Sequence, residues 1–279
     1  MPDLPDSVWT RPPRTTRGDQ PALSRAQIVR AAIELLDTEG AAGLSMRRLG
    51  TKLGSGTTSA YWYVTNKDEL LELAVDEVLG EIYVPEPGDT GWRIGASILA
   101  NGMRAALLRH PWVIGQLGAR PTVGPNAMRM GDRTVALFTA AGFQGLQISY
   151  AGSLLHSHAI GAATTEAAMT AAARRAGSTL AGVAESVLPA IERTAGTYPH
   201  VERWLRENGV GGPDPDRLLD DAFTFGLDRL LDGLSHWLTH HPNPPHHPDP
   251  AQQPDPVQRP GAAPRPGREQ RPDLDQGAA

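Results

Sequence analysis

The chain has 279 residues, with 26 Lys and Arg against 31 Asp and Glu, a formal net charge of −5, and no cysteine. Disulfides, thiolate metal sites and cysteine nucleophiles are therefore excluded. No stretch approaches the roughly 20 apolar residues of a membrane span, and the opening Met-Pro-Asp-Leu-Pro-Asp lacks the charged-then-apolar pattern of a signal peptide. The reading is of a cytoplasmic protein with no membrane partner.

Residues 1–22 are rich in Pro, Asp and Arg and poor in apolar side chains. They cannot bury enough surface to offset their ordering entropy, so a disordered arm is expected. From residue 23 the pattern turns helical. Ser24-Arg-Ala-Gln27 is a capping box. Ile28, Ala32, Leu35 and Leu36 make one apolar stripe, and Gly40 stops the helix. Ser45 caps a second helix, on which Met46, Leu49 and Leu53 share a face. Gly54-Ser55-Gly56 is a turn, and Thr57–Tyr63 a short third helix carrying hydroxyls and aromatics instead of a complete apolar face. Asn66-Lys67-Asp68-Glu69 opens a fourth, with carboxylates in its first turn as the helix dipole favours. Its Glu69, Glu72, Asp76, Glu77 and Glu81 are expected to lie away from any bound phosphates.

Two helices joined by so short a turn make a helix-turn-helix, in which the second helix enters the major groove of DNA with its N-terminal residues leading. Thr57, Thr58 and Ser59 occupy that leading turn, where hydroxyls and methyls meet base edges. Tyr61 and Tyr63 reach a phosphate or a base edge, and Trp62 combines packing with contact. Lys67, Arg47, Arg48 and the amides behind Ser45 are phosphate ligands. Tyr61 and Trp62 serve equally as core aromatics of a three-helix module, and Arg47 or Arg48 as solvated surface charges. A net negative chain is no obstacle, because a local excess of cations suffices.

The chain from residue 72 to 240 continues helical. Segments at Trp92–His110, Trp112–Leu117, Ala127–Ala141, Leu146–Ala163 and Asp216–Thr239 carry apolar periodicity, and the Ala-rich stretch 164–182 is a helix or a mobile segment. Trp92, Met103, Trp112, Phe138 and Phe143 line an apolar cavity or form plain core. The stripe on 216–239 is wider than docking on its own domain requires. Residues 241–279, crowded with Pro, form a disordered tail. No Ser-His-Asp or paired-carboxylate arrangement supports catalysis. His156 and His158, two apart on one helix, point to different sides, so no metal site is expected, and no cofactor.

Leu44-Ser45-Met46-Arg47-Arg48-Leu49, Lys52-Leu53-Gly54 and Tyr61-Trp62-Tyr63-Val64-Thr65-Asn66-Lys67-Asp68-Glu69-Leu70-Leu71 resemble the DNA-binding domain of the tetracycline-repressor (TetR) family. The family's Leu-Tyr-Trp-His-Val pattern stands here as Ala60-Tyr61-Trp62-Tyr63-Val64. His110-Pro111-Trp112, Leu117–Thr122, Gly124-Pro125-Asn126, Ala141-Gly142-Phe143 and Phe225–Leu234 are similar to its C-terminal domain.

The resemblance implies an all-α fold, with a three-helix helix-turn-helix domain (23–71) and a helical effector-binding and dimerisation domain (72–240). It implies a sequence-specific regulator, a repressor released from a palindromic double-stranded operator by a small-molecule effector. It also implies a homodimer whose interface uses Leu154, Phe223, Leu227, Leu231 and Leu234. Arg120 matches the family's pocket arginine, although a loop-holding role is equally open to it. Gln116 stands where the tetracycline-binding members carry a metal-holding His, and His156 lies on the helix that supplies further pocket contacts. The competing readings are an enzyme with an appended DNA-binding domain and an effector-free architectural DNA-binding protein.

Overall fold

A computed structural model describes residues 7–9, 24–54, 64–119, 122–208 and 214–241. Among these the chain is helical, with no strand: α1 (Arg25–Gly43), α2 (Met46–Lys52), α3 (Lys67–Leu79), α4 (Pro87–Thr90), α5 (Trp92–Arg109), a 3₁₀ turn (Pro111–Gln116), α6 (Pro125–Ala141), α7 (Leu146–Arg175), α8 (Leu180–Ala195), α9 (Pro199–Asn208) and α10 (Pro215–His240). The proposed reading helix, 57–63, and the 242–279 part of the tail lie outside the described residues.

Local chemistry sets the first boundaries. The Ser24 amide donates to Gln27 Oε1 at 2.7 Å and the Gln27 amide returns a bond to Ser24 Oγ at 3.2 Å, so two orphan donors of α1 satisfy each other's side chains. Gly40 sits at φ +69°, a left-handed conformation that interrupts α1 and that other residues adopt only with strain. Ser45 Oγ accepts from the Arg48 amide, and Asn66 Oδ1 from the Glu69 amide at 2.9 Å, opening α2 and α3. Ile28, Ala32 and Leu36 of α1, Leu49 of α2 and Val64 and Leu70 flanking the start of α3 are fully buried together. That is the core of the N-terminal head, built from residues on both sides of 55–63 in the sequence.

The larger body is built on α7. Helices α5, α6 and α10 all lie against it, and α3 reaches from the head to α6. Residues 164–175, left open in the sequence, simply continue α7 to Arg175, because Ala and Met favour helix and nothing there breaks it. Helices α8 and α9 follow, and of their residues only Ala195 is buried.

One expectation changes. The N-terminal arm is not without structure throughout: Ser7 is buried, its hydroxyl donating to Glu72 Oε2 at 2.6 Å, and the Val8 amide donates to the same oxygen at 3.0 Å. A buried carboxylate supplies what the arm's own few apolar residues could not. Glu69, Glu72 and Asp76 are buried. They form a buried inward row on α3, each accepting backbone N–H groups: Glu69 from Thr65, Glu72 from Val8, Asp76 from Asn126 and Ala127. Asp76 thereby caps the N-terminus of α6 from outside it, where the helix dipole favours an anion.

Candidate nucleic-acid interface and effector domain

Thr57, Thr58, Ser59, Tyr61, Trp62 and Tyr63 lie outside the described residues, so the head is characterised by what frames them. Before the reader, Arg47 and Arg48 are exposed on α2. Arg48 pairs with Glu39 of α1, both half open to solvent. An exposed pair of this kind is worth little, and a phosphate can replace the carboxylate. The Ser45 hydroxyl is engaged as the α2 cap and keeps its proton to donate. After the reader, Lys67 Nζ donates to the Ala41 carbonyl at 2.6 Å. An ammonium has three donors, so this bond fixes the side chain at the end of α1 and leaves two for another acceptor.

Head and body meet at a compact polar joint. Asp37 Oδ1, on α1, accepts from His110 Nδ1 at 2.7 Å and from Trp112 Nε1 at 2.8 Å. His110 Nε2 stands 3.3 Å from Glu81, just past α3, and Glu81 also pairs with Arg109. Trp112 was expected beside the cavity aromatics. It is instead part of this joint, because its indole N–H needs an acceptor when the ring is buried and Asp37 provides one.

The remaining candidate ligand residues separate into distinct places. Trp92, Phe138 and Phe143 form a tilted and edge-on cluster with centroids 5.7 to 6.4 Å apart. Trp237 of α10 stacks on Phe143 at 5.8 Å. Phe138 and Phe143 are buried, so this cluster is mainly core, and Phe143 and Trp237 also border a cavity of about 310 Å³ with Tyr150, Leu154 and Leu234. Met103 is buried in α5. His156, on α7, has a buried Nε2 with no hydrogen-bond partner among the described residues, and burial holds its pKa below the ordinary histidine value. Gln116 borders a cleft of about 30 Å³ with Trp9, Glu72, Val75, Asp76, Thr122 and Gly124. Arg120 lies outside the described residues. Among the described residues no group of His, Asp and Glu is placed to hold a metal.

The expected partner face also needs correction. Phe223, Leu227, Leu231 and Leu234 are buried inside the protomer, on the side of α10 that packs against α7 and α5. They are core, because an amphipathic helix first satisfies its own domain. Leu154 is exposed, in line with Leu146 and Tyr150 along α7. On α10 the exposed large apolar residues are Leu218 and Phe225, two turns apart. The sequence carried this second periodicity, hidden under the stronger buried one.

Sequence reasoning missed one further arrangement. Arg104 of α5 donates to Glu166 of α7 at 2.5 Å and to Asp220 of α10 at 2.7 Å, with its guanidinium over the Phe223 ring at 4.8 Å. Burial by itself would lower the Arg104 pKa, yet hydrogen bonds to Asp220 and Glu166 hold it above the ordinary arginine value. The three charges are more than 50 residues apart in sequence, so no local spacing announces them.

A helical head with a helix-turn-helix frame, tied by α3 and a polar joint to a helical body, defines a DNA-binding regulator. Residues 28–74 match the model for bacterial regulatory proteins of the tetR family, and residues 84–238 that for the tetracyclin repressor-like C-terminal domain. The chain belongs to the tetR family of transcriptional regulators.

It is 36% identical over 230 residues to the HTH-type transcriptional repressor DrrR1 of Streptomyces coeruleorubidus, covering 81% of this chain and 83% of that one. It is 29% identical over 218 residues to the class C tetracycline repressor protein of Escherichia coli, covering 76% and 90%. Among solved structures it is similar to ActR of Streptomyces coelicolor in complex with actinorhodin, with a TM-score of 0.64 and 30% identity over 77% of this chain and 96% of that one. Apo ActR gives the same TM-score at 28% identity, covering 80% and 99%.

Proposed function

We propose that this protein is a homodimeric, non-enzymatic repressor that holds a palindromic operator and releases it when a small molecule occupies the body. The observation that carries the reading is the joint at Asp37, which ties the head to the 3₁₀ turn ending at Gln116, so that a change beside Gln116 has a short path to α1. Residues 23–71 are the reader and 72–240 the effector and dimerisation domain. Thr57, Thr58 and Ser59 read bases, with Arg47, Arg48 and Lys67 on phosphates. The dimer face is the exposed row Leu146, Tyr150 and Leu154 with Leu218 and Phe225, and two copies related by a two-fold axis explain a palindromic site.

The effector is a mostly aromatic molecule with hydrogen-bonding groups. Similarity to ActR, whose structure contains actinorhodin, supports that class. Gln116 is a poor metal ligand, which argues against a magnesium–tetracycline chelate. His156, kept neutral by burial, offers Nε2 as a hydrogen-bonding group inside the body. The test is random-site selection with the purified chain, followed by titration of the selected duplex complex with actinorhodin. A palindrome with half-sites about one helical turn (~34 Å) apart is expected. Recovery of no common sequence would refute the reading.

A further inference from the structure

The segment that leaves α3 and one face of α6 enclose a cleft of about 260 Å³, which shares no lining residue with the cleft beside Gln116. Residues 80–84 form one wall. Gly80 packs so close to the start of α6 that a Cβ on it would fall 2.9 Å from Asn126 Nδ2, which closes one end. Ile82 and Val84 then turn inward, each 7% exposed, while Tyr83 between them turns outward at 64%. The other wall is helical. Asn126, Arg129, Met130 and Arg133 stand at i, i+3, i+4 and i+7 of α6, which puts all four on one face.

The walls combine apolar surface with positive charge. Ile82, Val84 and Met130 supply the apolar part, with the Tyr83 ring beside them, and an unbranched thioether adapts to an irregular occupant. Arg129 is exposed and has no ion-pair partner among the described residues. Arg133 pairs with Glu86, whose side chain is largely open to solvent. Such an exposed pair is worth little, so another carboxylate can take the place of Glu86. One acid also borders the cleft. Glu81 has one oxygen on Arg109 and the other 3.3 Å from His110 Nε2, so its charge is matched by groups that do not line the cleft.

We propose that this cleft is a separate small-molecule site, for a flat apolar molecule carrying one carboxylate. Side chains four apart on a helix are neighbours, roughly 5–6 Å between Cβ atoms, so the Arg129 and Arg133 guanidiniums can close on one carboxylate. Each guanidinium fork matches a carboxylate with two parallel hydrogen bonds. A neutral molecule of the same shape forfeits that clamp, and a cation is repelled by it. The volume lies just under the ~300 Å³ at which pockets for drug-sized molecules begin, which limits the apolar part to about two fused rings. The site goes beyond the effector reading above and does not depend on it, since neither Gln116 nor His156 lines it. Glu81 belongs both to this cleft and to the joint at His110 and Asp37, so an occupant lies one side chain from the contact that holds the head.

The test uses calorimetry on the full chain without DNA, at fixed low ionic strength so that the arginines are not screened. The probes are 2-naphthoate and its neutral analogue 2-naphthalenemethanol. The naphthoate is expected to bind at least about tenfold more tightly than the alcohol, the worth of one charge-assisted hydrogen bond. Arg129→Gln and Arg133→Gln should each weaken naphthoate binding about tenfold and leave the alcohol unchanged. Glu86→Gln frees Arg133 and should tighten naphthoate binding about threefold. Tyr83→Ala should weaken both probes. Arg129, Tyr83 and Glu86 are exposed, so these variants keep the fold, which an unchanged urea midpoint verifies. Equal binding of the two probes, undiminished naphthoate binding when Arg129→Gln and Arg133→Gln are combined, or no binding in the millimolar range overturns the proposal.

Discussion

Replacing Asp37 by Ala removes the acceptor shared by His110 and Trp112. Both donors are buried, at 4% and 8% exposure, so water reaches them poorly. Leaving a buried donor unsatisfied costs about 1–3 kcal/mol, hence about 2–6 kcal/mol for the pair. The Asp37 side chain is itself 30% exposed, so solvent recovers part of that and the lower half of the range is expected. Asp37→Asn keeps an oxygen that accepts both bonds and loses only the charge, at about 1 kcal/mol. Urea unfolding of the two variants should therefore separate them by at least about 1 kcal/mol. A cycle combining Asp37→Ala with Trp112→Phe should show a coupling energy of about 1 kcal/mol. If the joint transmits the effector signal, Asp37→Ala also binds operator but responds less to ligand. An Asp37→Ala chain as stable as Asp37→Asn, with full response, refutes the reasoning.

The two faces of α10 predict opposite phenotypes: Leu231→Asp buries an unpaired charge and should unfold the protomer or weaken it by several kcal/mol, whereas Phe225→Asp should leave the fold intact and yield a monomer by sedimentation. His156 titrates below its unfolded-state value, so its contribution to stability is complete above about pH 6.5 and is lost as pH falls toward its folded-state pKa. Urea midpoints from pH 7.5 down to pH 5 should fall less steeply in His156→Leu than in the unaltered chain, and equal slopes would exclude His156 as the source. Lys67→Ala should weaken binding to all duplexes alike and reduce the salt slope of operator binding by about one. A change in base preference would instead place Lys67 on a base.

The head was legible in sequence because its signals are local: a capping box at Ser24, a Gly at the φ +69° break, caps at Ser45 and Asn66. The body's helices at 92–109, 125–141 and 215–240 were legible for the same reason, whereas α7 runs twelve residues past its expected end and α8 and α9 were not read at all. What escaped was everything decided by tertiary placement. The inward acid row on α3 has the composition of a solvated face, and only the backbone donors brought to it make it core. Trp112 has the look of a cavity aromatic until Asp37 claims its N–H. The stripe on α10 was read correctly as apolar but assigned to the wrong neighbour, since periodicity states that a face is buried and not against which chain. Arg104, Glu166 and Asp220 meet through three helices, beyond the reach of any spacing rule.

The acid row on α3 has a consequence for mutational tolerance. Glu69, Glu72 and Asp76 bind main-chain amides of Thr65, Val8, Asn126 and Ala127, donors that every residue except proline carries. The constraint is therefore one-sided. Side chains at positions 8, 65, 126 and 127 are free to drift as far as these bonds are concerned, while their carboxylate acceptors are not. A saturation scan should find α3 specified on one face by its carboxylates, and proline excluded at positions 8, 65, 126 and 127 whatever packing allows there.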